Sequence, residues 1–210
     1  MTRAAAPSPQ RARAMHPLAI VSASLAPVFF IGGTIVAELA WPGFDPINQT
    51  ISELAAGDAP TRIFMTAMFV LTGLCHVVTA SFVPAIGLLG RFALGIAGLA
   101  LLAVAAFPLP TVATGSAAHY YSAMIGFIAL AAWPLLGMRR DRDAPWLLRP
   151  LGATLGTLLL GALCTAFALL EATDGPSIGL SERVAANTES VWPLLVVLAL
   201  LRRPAHRLTS

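Results

Sequence analysis

The chain has 210 residues, of which 57% are apolar and only 11% charged, a balance outside the range of soluble domains and typical of integral membrane proteins. Its net charge is +3, and every basic residue is arginine, so Schiff-base chemistry through retinal or pyridoxal phosphate is excluded. Two cysteines inside apolar runs give no disulfide framework or zinc cluster to build on. Arginines placed at the ends of apolar blocks, not interleaved with aromatics, argue against nucleic acid as a partner.

Residues 1–16 read as a basic tail carrying Arg3, Arg11 and Arg13, residues 17–203 as a single domain, and residues 204–210 as a second tail. Six apolar blocks fill the domain: Pro17 to Ala40, Thr61 to Pro84, Leu88 to Phe107, Ala117 to Met138, Leu148 to Leu170 and Ser181 to Leu201. Each is close to the ~20 residues that cross ~30 Å of hydrocarbon. The first is too long for a signal peptide's apolar region, and Glu38 and Leu39 spoil a cleavage site. The fold class expected is therefore all-α, a polytopic six-helix transmembrane bundle. Alternate links carry opposite charge. The tails, Arg91 and the link holding Arg139, Arg140, Arg142 and Arg149 contain eleven of the thirteen arginines, which assigns both termini to the cytoplasm of a cell membrane.

The stretch Phe44 to Pro60, FDPINQTISELAAGDAP, is the longest polar interruption. Asp45 followed by Pro46 is a helix start and Gly57 a stop. The spacing predicts a short helix lying flat on the outer face, with Ile47, Ile51 and Leu54 as its apolar stripe and with Asn48/Ser52 and Gln49/Glu53 stacked beside it.

Outer-side polar residues fall in three places: Asp45, Asn48, Gln49, Ser52 and Glu53 in this stretch; His119, with Ser122, at the start of the fourth block; and Glu182, Arg183 and Glu189 in the sixth. These are the candidate ligand-binding residues, and Glu189, His119, Glu53 and Ser52 the candidates for acid/base or nucleophilic work. Glu189 is the sharpest, because seven residues past Glu182 puts it about 10 Å further in on the same face. A carboxylate at that depth costs at least ~2.5 kcal/mol unless paired, protonated or facing water. An unperturbed imidazole titrates near neutrality, so His119 suits a relay or, next to Tyr120 and Tyr121, an interfacial anchor. Ser52, Glu53 and His119 have the residue types of a hydrolase triad without its GxSxG elbow. His76, Cys75 and Cys164 read as buried packing, and no cofactor or metal is expected.

With FDPINQTISELAAGDAP after the first helix, FP at Phe107 and Pro108 followed by His119, and GLSERV opening the sixth helix, the chain resembles the bacterial and archaeal membrane proteins catalogued as domain of unknown function 998, over about residues 17–203. The resemblance implies six helices and no established activity. The function expected is binding of a membrane lipid or other small amphiphile in an outward-facing, polar-rimmed cavity. The alternative is a membrane-embedded enzyme acting on a lipid or isoprenoid by acid/base chemistry. Glu53, His119, Arg183 and Glu189 are expected to share one cavity, with Arg183 or His119 pairing a carboxylate.

Overall fold

The computed structural model describes residues 15–173 and 175–202; most of the two basic tails lies outside the described residues. It is all-helical, with six helices long and apolar enough to cross a membrane: Pro17–Ala40, Arg62–Phe82, Leu88–Ala106, Ala117–Leu136, Pro150–Ala172 and Ile178–Leu201. This is the build of a multi-pass membrane protein. All but one of the ends fall within two residues of the hydropathy boundaries, the usual uncertainty of helix termini. The exception is the sixth helix, which starts three residues earlier than expected, at Ile178, after Ser177 in the left-handed region.

Each helix packs on the next in sequence, and the sixth returns to the first, so the bundle closes as a ring. Small residues set the closest crossings. A Cβ on Gly98 of the third helix would press on the Gly73 carbonyl of the second, and one on Gly90 would overlap the backbone of Gly137. Pro27, inside the first helix, is followed at once by a π-helical turn, Val28–Gly32, the kind of widening that proline favours by removing an amide donor. The turn aims Phe30 inward.

The two sets of links close opposite ends. At one end Gly87 N–H donates to the Gly137 carbonyl and Arg139 N–H to the Leu148 carbonyl, above a core that includes Trp133, Leu148 and Val196. At the other, the stretch after the first helix meets the remaining two links: Gly57 N–H donates to Leu109 O, Val112 N–H to the Asp58 carboxylate, and Leu180 N–H to Ile47 O.

That stretch is not the single flat helix expected. The chain first reverses at Pro42–Gly43, where Gly43 has φ +84 and Phe44 N–H reaches the Trp41 carbonyl, the type II arrangement that needs glycine third. A turn over Pro46–Asn48 follows, then a 3-10 helix, Ser52–Ala55. The break falls at Gln49–Thr50 because backbone groups there are bonded elsewhere: the Gln49 carbonyl accepts from Arg183 Nη1 and the Ile51 amide donates to the Glu182 carboxylate. Asp45 caps the first turn through Ile47 N–H and Asn48 N–H. Thr50 and Glu53 form a capping box for the second, each side chain accepting from the other's amide. Of the expected stripe, Ile51 and Leu54 are fully buried against Phe30, Met65 and Phe69; each burial is worth about 1.5–3 kcal/mol against exposure to water. Ile47 stays 44% exposed.

Candidate functional site

His119 is the third residue of the fourth helix, whose Ser116 cap accepts from its amide. Its Nδ1 lies 3.0 Å from the Phe107 carbonyl and its Nε2 3.0 Å from Ser52 Oγ. A carbonyl only accepts, so in the neutral ring Nδ1 carries the proton and Nε2 accepts from the serine hydroxyl. The Phe107 carbonyl is free for this because the third helix ends at Ala106 and Pro108 disfavours helical backbone at Phe107, which lies at φ −119 and ψ 65. Ser52 Oγ is also 3.5 Å from Glu182 Oε1, whose other oxygen holds the Ile51 amide. Glu182, Ser52, His119 and Phe107 O thus form one chain of polar contacts across the bundle mouth.

Two cavities meet at this chain. One, of about 410 Å³, lies between the loop-side halves of the fourth and fifth helices, bounded by His119, Tyr120, Met124, Phe167 and Glu171. Tyr120, Met124 and Ile128 on its wall are exposed on the bundle's flank. The other, of about 70 Å³, is central and reaches from Ser52 and Glu182 down to Glu189 and His76. Ser52, Glu182, Ala123 and Phe127 line both.

Glu189 is 1% exposed. Cys164 Sγ donates to its Oε1 at 3.1 Å, while Oε2 has no partner. His76 is equally buried, with Nδ1 unpartnered. His76 and Cys75 are buried as expected, whereas Cys164 is only half-buried; His76 and Cys164 each border a cavity, so packing alone does not describe them.

The single cavity expected for Glu53, His119, Arg183 and Glu189 needs correction. His119 and Glu189 face adjoining cavities, and Glu53 and Arg183 line neither. Glu53 is consumed by the loop, accepting from Thr50 and from Gln49 Nε2. Arg183 pairs at 2.7 Å with Glu38 on the first helix, donates to the Gln49 and Gly179 carbonyls, and stacks over Phe44. Its carboxylate partner, Glu38, was overlooked as a site residue; its place near the end of the first apolar block was the available signal. Asp45, Asn48 and Gln49 are likewise structural: Asn48 bonds Asp45 and the Ser177 amide, and Gln49 Oε1 takes the Asp45 amide. The Asn48 amide, ahead of two backbone N–H groups, holds the Asp45 carboxyl below its ordinary value of 3.8. Of the candidate residues, Ser52, His119, Glu182 and Glu189 reach cavity space, where Glu171 and His76 join them. Among the described residues no group of three or more His, Cys, Asp or Glu is placed to hold a metal ion.

No curated protein and no solved structure matches the chain. The family described as protein of unknown function (DUF998) matches residues 24–199, which runs from within the first helix to near the end of the sixth and takes in the loop and both cavities, and the chain belongs to that family.

Proposed function

We propose that the protein binds a lipid or other amphiphile, its tail in the cavity between the fourth and fifth helices and its polar end at Ser52, His119 and Glu182. The observation that carries this reading is the 410 Å³ cavity with aromatic and aliphatic walls and a hydrogen-bonding cluster at one end. Its size is within the ~300–1,000 Å³ of small-molecule sites, and few convergent polar groups on apolar walls are what such sites need. Flank-exposed Met124 and Ile128 on its rim offer a lateral route from the bilayer. Arginine bias orients the bundle with both termini in the cytoplasm and the cavity mouth outward, in the plasma membrane of a bacterial cell. Native mass spectrometry of gently purified protein tests the proposal: a bound lipid or amphiphile at defined stoichiometry, displaced by added competitor, is the result expected. Empty protein from several mild extractions contradicts it.

A second reading has its own observation. Ser52 and His119 stand as a nucleophile and a base, with the imidazole held by a backbone carbonyl where a triad uses a carboxylate. This supports acyl transfer on a lipid ester, with Ser52 attacking the carbonyl carbon and His119 taking the hydroxyl proton and returning it to the leaving alkoxide. Glu182, 3.5 Å from the nucleophile, puts a carboxyl where a pair of N–H donors usually holds the oxyanion, so the binding reading leads. A fluorophosphonate that labels Ser52 in the native protein, and fails to do so in His119→Gln, favours the enzyme. Absence of labelling removes it.

A further inference from the structure

The titratable groups that line the two cavities are sorted by sign. The fifth and sixth helices contribute Glu171, Glu182, Glu189 and the Cys164 thiol, the second and fourth His76, His119 and the Tyr120 phenol, and no arginine lines either space among the described residues. The first and third helices bring apolar side chains only. Arg183, next to Glu182 in sequence, is turned away and held by Glu38 and two carbonyls. Glu53, the remaining nearby acid of the loop, is bonded to Thr50 and Gln49.

Glu189 is the second, independent sign. It is 1% exposed, has one oxygen without a partner, and faces the central cavity. A buried carboxyl with no cationic partner keeps its proton, and it gives that proton up when a cation arrives beside it. Phe30, Phe69 and Phe127 around the central cavity, and Tyr120 and Phe167 around the larger one, add ring faces that attract a cation and do nothing for an anion.

We propose that the joined cavities take a cationic amphiphile, one headed by an amine or quaternary ammonium, in exchange for a proton held on Glu182 or Glu189. This rests on the amphiphile-binding reading and names the ligand's charge class. The balance is simple: one carboxyl O–H breaks, the carboxylate pairs with the incoming head group, and the proton leaves to water at the cavity mouth. An anionic head group meets carboxyls with no arginine among the described residues to answer it, and a neutral one supplies no counter-charge.

The test compares three probes of one chain length, octyltrimethylammonium, octanoate and octanol, against the full chain in neutral-lipid nanodiscs, with empty nanodiscs subtracted. Octyltrimethylammonium does not titrate, so any pH dependence belongs to the protein. The result expected is a preference for the cation of about tenfold or more over both others, strengthening from about pH 5.5 to about pH 8. Proton release on binding should be seen with a pH indicator in weak buffer. Glu182→Gln and Glu189→Gln should each reduce the preference and the proton release. The wild-type comparison decides the matter even where a variant fails to fold. Equal binding of all three probes, without pH dependence or proton release, overturns the charge inference and leaves the amphiphile site standing. No saturable binding of any probe, in protein that also carries no co-purified amphiphile, overturns both.

Discussion

Ser52 and His119 are 67 residues apart in sequence and 3.0 Å apart in the fold, and the contact is made by two different kinds of chain. His119 belongs to a spanning helix fixed by its Ser116 cap; Ser52 belongs to a turn seated by Ile51 and Leu54. Their meeting brings the loop's polar side to the bundle mouth. Ser52→Ala should lower affinity for the bound amphiphile by a few-fold to about tenfold, the worth of one net hydrogen bond of ~1 kcal/mol, while leaving the fold intact. Titration of purified variant and wild type with the co-purified amphiphile measures this.

The Glu38–Arg183 pair ties the first helix to the sixth where the ring closes, with side chains 21% and 11% exposed. Removing one partner leaves the other charge in poor solvent. Arg183→Met or Glu38→Gln alone should destabilise the protein by roughly 3–5 kcal/mol, and the double variant should recover much of the loss. Thermal unfolding in a fixed detergent gives the double-variant cycle; equal losses that simply add would show that the pair does not act as a unit.

Gly179 sits against the loop, where a Cβ would overlap the Gln49 carbonyl, whereas Gly161 faces open space. Gly179→Ala should cost about 1–3 kcal/mol by forcing the loop off the sixth helix. Gly161→Ala should be neutral or stabilising by up to ~1 kcal/mol, because alanine is the better helix former. The same unfolding assay reads both.

Asp45 is a carboxyl whose folded-state pKa lies below its ordinary value, chiefly through the Asn48 side-chain amide. Such a group contributes above its unfolded pKa and the contribution is lost as pH falls through the folded one. Hydrogen exchange of the Ile47 and Asn48 amides should therefore be unchanged between about pH 8 and pH 5, after correction for intrinsic rates, and should rise only below about pH 4. In Asp45→Ala the same amides should be open throughout.

Charge asymmetry predicts the orientation. Cysteine placed at exposed Ala113 in a cysteine-free background should react with an impermeant maleimide in intact cells, and cysteine at exposed Arg142 only after the membrane is opened. The reverse pattern would invert the bundle and point the cavity mouth inward.

The six helices were legible because hydropathy acts locally and each span states its own length. The loop was legible in part. Its caps are written in the sequence, including Thr50–Ile51–Ser52–Glu53, which has the spacing of a capping box, but the break at Gln49–Thr50 comes from Glu182 and Arg183, over 130 residues away. Helical periodicity carries no record of such partners. Glu189 was conspicuous by its depth, yet its contact with Cys164 depends on how the fifth and sixth helices rotate against each other. The role of Phe107 was hidden because it acts through its carbonyl, which any residue before Pro108 would supply.

The most direct measurement is the location of a photoreactive amphiphile cross-linked to the protein in lipid nanodiscs, read by peptide mass spectrometry. Labels on the outer halves of the fourth and fifth helices, around Tyr120–Ile128 and Cys164–Glu171, competed away by unlabelled amphiphile, are the result this account predicts. Labels spread evenly over the lipid-facing sides of all six helices, and unaffected by competitor, would contradict it.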